Sequence, residues 1–276
     1  MFGLSTGQST CTSRRQLLGI NLYHDAGTSA LMSDHGRMHS GSDAPPAPHL
    51  PPRVTSFRTR RTTLSGGQQA TWDRLWPELG MHARDADGPA PLLDTQAWFG
   101  RSAPVVLEIG CGAGTSTLAM AHAEPHLDVV AVEVYRRGLA QLLTGIDREG
   151  IKNIRLIRGD GVDVLEHMFE PDSLTGVRVF FPDPWPKARH HKRRLLQPAT
   201  VDLIADRLCP GGVLHVATDH AGYAEHIAEV GDAEPRLRRV TAAERLSISV
   251  ERPVTKYENK AQHAGSAVAE LLWEKP

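Results

Sequence analysis

Aromatic residues make up only 5% of this 276-residue chain, six Phe, five Trp and four Tyr. That is too few for the broad stacking surface of an RNA recognition motif. Cysteine is scarcer still. Cys11, Cys111 and Cys209 are widely spaced and odd in number, so neither a disulfide frame nor a cysteine zinc site is expected, and the chain reads as cytoplasmic. No apolar run reaches the roughly 20 residues needed to cross a bilayer. Charge of one sign is also lacking: 31 Lys and Arg against 32 Asp and Glu leave a formal net charge of −1. This excludes a uniformly basic coat and confines any grip on a polyanion to a local patch. Fourteen histidines invite a metal, but only His190 and His191 are adjacent. Neighbouring loop residues seldom share an ion without further ligands, so no metal is expected.

A local basic patch is present. An apolar strand over 177–181 runs into Pro182-Asp183-Pro184-Trp185-Pro186-Lys187, followed by Arg189, His190, His191, Lys192, Arg193 and Arg194. Three prolines fix φ and hold the turn in shape before any ligand arrives. Asp183 can accept hydrogen bonds from base N–H groups, Trp185 offers a flat face, and the cations suit phosphates. The alternative is a Pro-rich loop followed by a solvated basic face.

A second signal lies upstream. Val105-Val106-Leu107-Glu108-Ile109 breaks into Gly110-Cys111-Gly112-Ala113-Gly114, and a helical stretch covers 115–123. Strand, glycine turn and helix form a nucleotide-binding start, because glycine accepts positive φ and lets backbone approach a ligand. The spacing departs from the dinucleotide fingerprint, which would need a glycine at 115 where this chain has Thr. Further strands over 127–132 and 153–159 end in Glu133 and Asp160. Glu133 stands at the distance where a Rossmann-like unit places an acid on ribose hydroxyls, and Asp160 where an adenine amine would need an acceptor. Either acid could instead be a helix cap. Cys111 reads as a small residue tolerated in the loop rather than a nucleophile.

The acid-x-Gly-x-Gly-x-Gly form, Glu108 to Gly114, resembles the first motif of class I S-adenosylmethionine-dependent methyltransferases. The Phe-Pro-Asp-Pro-Trp-x-Lys-x-Arg-His-x-Lys-Arg-Arg string resembles the signature of bacterial tRNA (guanine-N7-)-methyltransferases. Further similar segments are Phe57 to Arg61, Leu64 to Gln69, Gly211 to Asp219 and Arg252 to Glu258, all in the family's order. The resemblance implies a Rossmann-like α/β fold, a doubly wound and mostly parallel sheet with a C-terminal antiparallel strand over 267–273. It implies S-adenosylmethionine as cofactor, tRNA as partner and guanine 46 of the variable loop as target. By the same resemblance Glu108, Gly110, Gly112, Gly114, Glu133, Asp160 and Asp183 contact the cofactor or active centre. Lys187, Asp219, Thr255, Lys256, Tyr257 and Glu258 hold substrate, and residues 189–194 lie along the RNA.

Guanine N7 carries an in-plane lone pair and no proton, so no strong general base is required. Catalysis then comes from proximity, in-line orientation and electrostatic support as positive charge moves onto the purine. Asp183 is the expected catalytic residue, holding the guanine through its N1 and N2 donors. Two rivals remain. An amino-directed methyltransferase, acting on adenine N6 or guanine N2, would carry a second proline between acid and ring, which Asp183-Pro184-Trp185 lacks. A non-catalytic RNA-binding protein on the same fold would have little use for the glycines and acids together.

Residues 57–276 form one expected domain. The first 56 residues, dominated by Ser, Thr, Gly, Pro and His, read as a disordered extension. Within them Ser13 to Gly19 superficially resembles a twin-arginine export signal, but Asn21, His24 and Asp25 interrupt the apolar core such a signal needs. Met32 and Met38 are alternative starts.

Overall fold

A computed structural model describes residues 63–253 and 267–276. The expected N-terminal extension, the cations Arg58, Arg60 and Arg61, and Thr255, Lys256, Tyr257 and Glu258 lie outside the described residues.

The chain enters through α1 (Gly66–Leu79). The Leu64 to Gln69 segment is its cap: Ser65 Oγ accepts the Gln68 amide at 3.3 Å, and Gln68 Oε1 accepts the Ser65 amide at 3.1 Å. This reciprocal box satisfies two donors that the first helical turn would leave unpaired. Strand β1 (Gly80–His82), a short hairpin of β2 (Arg84–Asp85) and β3 (Gly88–Pro89), and α2 (Thr95–Phe99) follow. The alternating part then runs β4 (Val105–Ile109), α3 (Thr115–Ala123), β5 (Asp128–Glu133), α4 (Arg136–Glu149), β6 (Ile154–Arg158), α5 (Gly161–His167) and β7 (Leu174–Phe180). After a 3₁₀ helix (Ala188–Arg193) come α6 (Pro198–Arg207), β8 (Leu208–Thr218), α7 (Ala221–Ala233), β9 (Arg238–Val240) and β10 (Ala269–Glu274).

The main sheet has the order β1-β6-β5-β4-β7-β8-β10-β9. The strands from β1 to β8 in that order pair in parallel, whereas β10 is antiparallel to both β8 and β9. The expected doubly wound sheet with one reversed C-terminal strand is therefore present. Strand limits move by a few residues. Glu133 is the last residue of its strand, Phe181 lies beyond the end of β7, and β8 starts at Leu208 instead of 213. That early start spans Pro210-Gly211-Gly212 and is accommodated by a register irregularity opposite Leu174 and Gly176.

Pairing partners face the same side of the sheet, which separates two cores. Leu107, Val130, Val177, Val216 and Trp273 meet the apolar sides of α5, α6 and α7. On the opposite face Val129, Ala131 and Leu156 meet α1, α3 and α4. Helix α4 presents Leu139, Leu142, Leu143 and Ile146, all buried at helical spacing. Over β4, β8 and β10 that second face carries Val106, Val213 and Leu272, which pack with Leu246, Ile248 and Val250 from the connection after β9.

Candidate cofactor and base site

The parallel strands point their C-terminal ends toward one edge, where open α/β sheets bind ligands. At the end of β4 the amides of Gly110 and Cys111 both donate to the Val132 carbonyl, at 2.8 and 3.1 Å, tying the turn to the end of β5. Gly110, Gly112 and Gly114 all have positive φ (80°, 57° and 78°), a region that costs other L-residues roughly 1–2 kcal/mol. Behind the turn a Cβ on Gly138 of α4 would lie 2.3 Å from the Gly112 carbonyl oxygen. Helix and turn therefore touch backbone to backbone.

Glu133 is buried beside this turn. One carboxylate oxygen accepts the Gly112 amide at 3.0 Å, and the other accepts Val134 at 2.7 Å and Tyr135 at 2.9 Å. Burial holds its pKa above the ordinary carboxylate range, the three amides oppose that, and the charge of Asp183 adds to the rise. Asp160 caps α5 by accepting the Val162 amide at 3.0 Å. Gly110, Glu133, Asp160, Phe181 and Asp183 line one cleft together. Gly110, at the head of the glycine turn, and all three strand-end acids thus converge, while Gly112 and Gly114 stand outside that lining.

Glu108 is not part of that lining. It sits one residue earlier on the sheet face and is 3% exposed, paired in register with Arg178 of β7. Burial pushes its carboxyl up to about 7, with Arg178 and the Thr117 hydroxyl acting in the opposite direction. Asp219 is exposed immediately after β8, on the same edge as the cleft but outside its lining.

The Pro-rich turn differs from the sequence expectation in its use of Trp185. The indole is 4% exposed, Arg193 lies over its ring at 4.2 Å and His190 meets it edge-on at 5.8 Å. Trp185 is an internal anchor of the loop rather than an open stacking face for a base. Arg194 likewise points inward. It is buried, donates to the carbonyls of Pro184 at 3.0 Å and Gly222 at 3.3 Å, and covers the Tyr223 ring. Lys187, Arg189 and Lys192 are exposed, while His190, His191 and Arg193 are half-buried. The 3₁₀ turn brings residues three apart onto one face, so Arg189 and Lys192 lie side by side.

Sequence reasoning passed over two internal polar residues, Arg178 and His215, which face the same side as Glu108 on successive strands. The signal was available, since each interrupts an apolar run (Val177-Arg178-Val179 and Leu214-His215-Val216). Among the described residues one grouping, Asp163, Glu166 and His167 on α5, has the proximity for a cation. Arg84 lies 3.5 Å from Asp163 there.

A six-strand parallel sheet with a reversed C-terminal strand, and a glycine turn followed by acids at the next strand ends, define a class I S-adenosylmethionine-dependent methyltransferase. Residues 102–271 match a family model described as a putative methyltransferase. The tRNA (guanine-N(7)-)-methyltransferase of Mycolicibacterium gilvum is 72% identical over 262 residues, covering 88% of this chain and 99% of that protein. Those of Mycobacterium avium and Mycobacterium tuberculosis are 66% and 65% identical, each over 88% of this chain. The chain belongs to the tRNA (guanine-N(7)-)-methyltransferase family.

Proposed function

We propose that the protein methylates N7 of a guanine in tRNA, at position 46 of the variable loop, through a domain spanning 57–276. The observation that carries this reading is the convergence of Gly110, Glu133, Asp160 and Asp183 in one cleft, with the exposed Lys187, Arg189 and Lys192 following Asp183 in the chain. The turn suits an adenosine-containing methyl donor: a Cβ on Gly110 or Gly112 would project into open space at positive φ, so the backbone is bare where a ligand approaches. When bound, S-adenosylmethionine supplies an electrophilic methyl group on a sulfonium.

The remaining roles fall to residues of the chain. Gly110, Gly112 and Gly114 form the cradle, Glu133 holds the ribose hydroxyls and Asp160 takes the adenine amine. Glu108 supports the cradle from beneath. Asp183 accepts the guanine N1 and N2 hydrogens, fixing N7 in line with the methyl, and its negative charge favours the cationic 7-methylguanine product. Asp219 and residues 255–258 assist in holding the base. Lys187, Arg189 and Lys192, with His190, His191 and Arg193 behind them, take the phosphates. Among the described residues Cys111 and Cys209 are both buried, and the low cysteine content accords with a reducing cytoplasm. No helix among the described residues is long and apolar enough to cross a membrane.

The test is incubation with labelled S-adenosylmethionine and unmodified tRNA, followed by nucleoside mass spectrometry. Label is expected in 7-methylguanosine at position 46. Label in an N6-methyladenosine or N2-methylguanosine would replace this reading with the amino-directed one, and bound but unlabelled tRNA would replace it with a binding protein.

A further inference from the structure

Asp183 stands between two non-glycine residues with left-handed backbone, Phe181 (φ 49°) and Trp185 (φ 45°). Such conformations cost energy and persist only where their surroundings determine them. For Trp185 the surroundings are evident in its burial and the Arg193 guanidinium on its ring. Phe181 is half-buried. Its amide donates to the Ala217 carbonyl at 2.8 Å, which fixes the start of the bend but not the ring.

The ring is met by Arg252, whose guanidinium carbon lies 5.1 Å from the Phe181 centroid and 5.8 Å from that of Phe180. The Arg252 side chain is 4% exposed and pairs with Glu270 of β10 at 2.5 Å. The other Glu270 oxygen is 3.6 Å from Nε2 of buried His215, which meets Phe180 edge-on at 4.9 Å. Three residues before Arg252, the chain is held by a second buried pair. Arg178 donates to Glu124 at 2.5 Å and to the Ser249 carbonyl at 3.2 Å, while Glu124 accepts the Ser249 amide at 2.6 Å. Arg252 is thus delivered to the two rings on a short, fixed stretch.

We propose that Arg252, fixed by Glu270, is a positioning residue for Asp183: its guanidinium holds the Phe180 and Phe181 rings and so maintains the left-handed bend that aims the carboxylate into the cleft. Arg252 is not among the cleft-lining residues, so it acts through the rings. A planar guanidinium can lie on an aromatic face and keep an in-plane hydrogen bond to a carboxylate at once, which an ammonium cannot. The inference rests on the function proposed above, in which Asp183 holds the base.

The test compares Arg252→Ala and Arg252→Lys with the wild type by three readouts: tRNA methylation kinetics, calorimetric S-adenosylmethionine binding, and hydrogen exchange at the amides of Phe181, Asp183 and Trp185. For Arg252→Ala, kcat should fall by about tenfold or more, as a small misplacement of a reacting group demands. KM for tRNA and cofactor affinity should stay within about threefold, and the three amides should exchange faster while those of β4 and β5 do not. Arg252→Lys should lie between. Unchanged exchange at the three amides, or a cofactor affinity that falls in step with kcat, would overturn the proposal. If Arg252→Ala does not fold, wild-type kcat and exchange in Arg252→Lys would overturn it equally. Should the wild type label a nucleoside other than 7-methylguanosine, the function above fails by itself, and the exchange comparison still decides the role of Arg252.

Discussion

Two carboxylates near the cleft have opposite surroundings, and substitution should separate them. Asp183 is exposed at the end of a braced loop, where it can meet a base. Asp183→Ala should lower kcat by about a hundredfold or more, the scale of losing one preorganised electrostatic partner, with cofactor affinity close to wild type by calorimetry. Near-normal turnover would remove Asp183 from the mechanism. Glu108 is fully enclosed, and its carboxyl is pushed from 4.5 up to about 7. Because the folded value lies above the unfolded one, the native state favours the protonated form. That advantage is present below pH 4.5 and is lost as pH rises toward 7. Glu108→Gln keeps the neutral form at every pH. Denaturant unfolding of the cofactor-free protein should therefore find it more stable than wild type at pH 8, by roughly 3 kcal/mol, with the difference shrinking toward pH 4.5. A difference independent of pH would place the cause outside this carboxyl.

At the scale of elements, the most exposed dependency is the contact between α4 and the glycine turn. Gly138→Ala puts a Cβ 2.3 Å from the Gly112 carbonyl oxygen, and backbone on backbone cannot yield as a flexible side chain would. The helix or the turn must shift. Cofactor affinity should fall by about tenfold, with a stability loss of about 1–3 kcal/mol from overpacking, as read by calorimetry and thermal unfolding; wild-type affinity would show that the turn tolerates the displacement. Nothing in the sequence around Gly138 marks it, because the contact joins residues 26 positions apart. The central strands were legible for the converse reason: 105–109 is apolar except for Glu108, and a near-continuous apolar run is what a strand buried on both faces shows. Strand β1 was not legible, being three residues with a glycine and a histidine, held at the sheet edge by pairing with β6. The cleft acids could be read from position alone. The inward turn of Trp185 and Arg194 could not, since an aromatic and a cation look the same in sequence whether they face a ligand or the loop's own interior.

Across the whole molecule the net charge is only −1, so long-range attraction to tRNA cannot come from total charge. It must come from where cations are placed and left unneutralised. Counterion release makes this measurable, because the slope of log K against log salt counts the phosphates neutralised. Lys187, Arg189 and Lys192 are exposed in the stretch that follows Asp183, and replacing each with Ala should reduce that slope by about one. Arg194 carries the same formal charge but is buried against the carbonyls of Pro184 and Gly222. Its replacement by Ala strands those acceptors and should cost about 1–3 kcal/mol of folding stability while leaving the salt slope unchanged once the variant is folded. The two kinds of substitution thus move different observables, filter-binding slope in one case and unfolding free energy in the other. A slope that falls with Arg194→Ala as much as with Lys192→Ala would mean that the loop opens to bring Arg194 onto the RNA. The fixed geometry around Trp185 would then belong to the free protein alone.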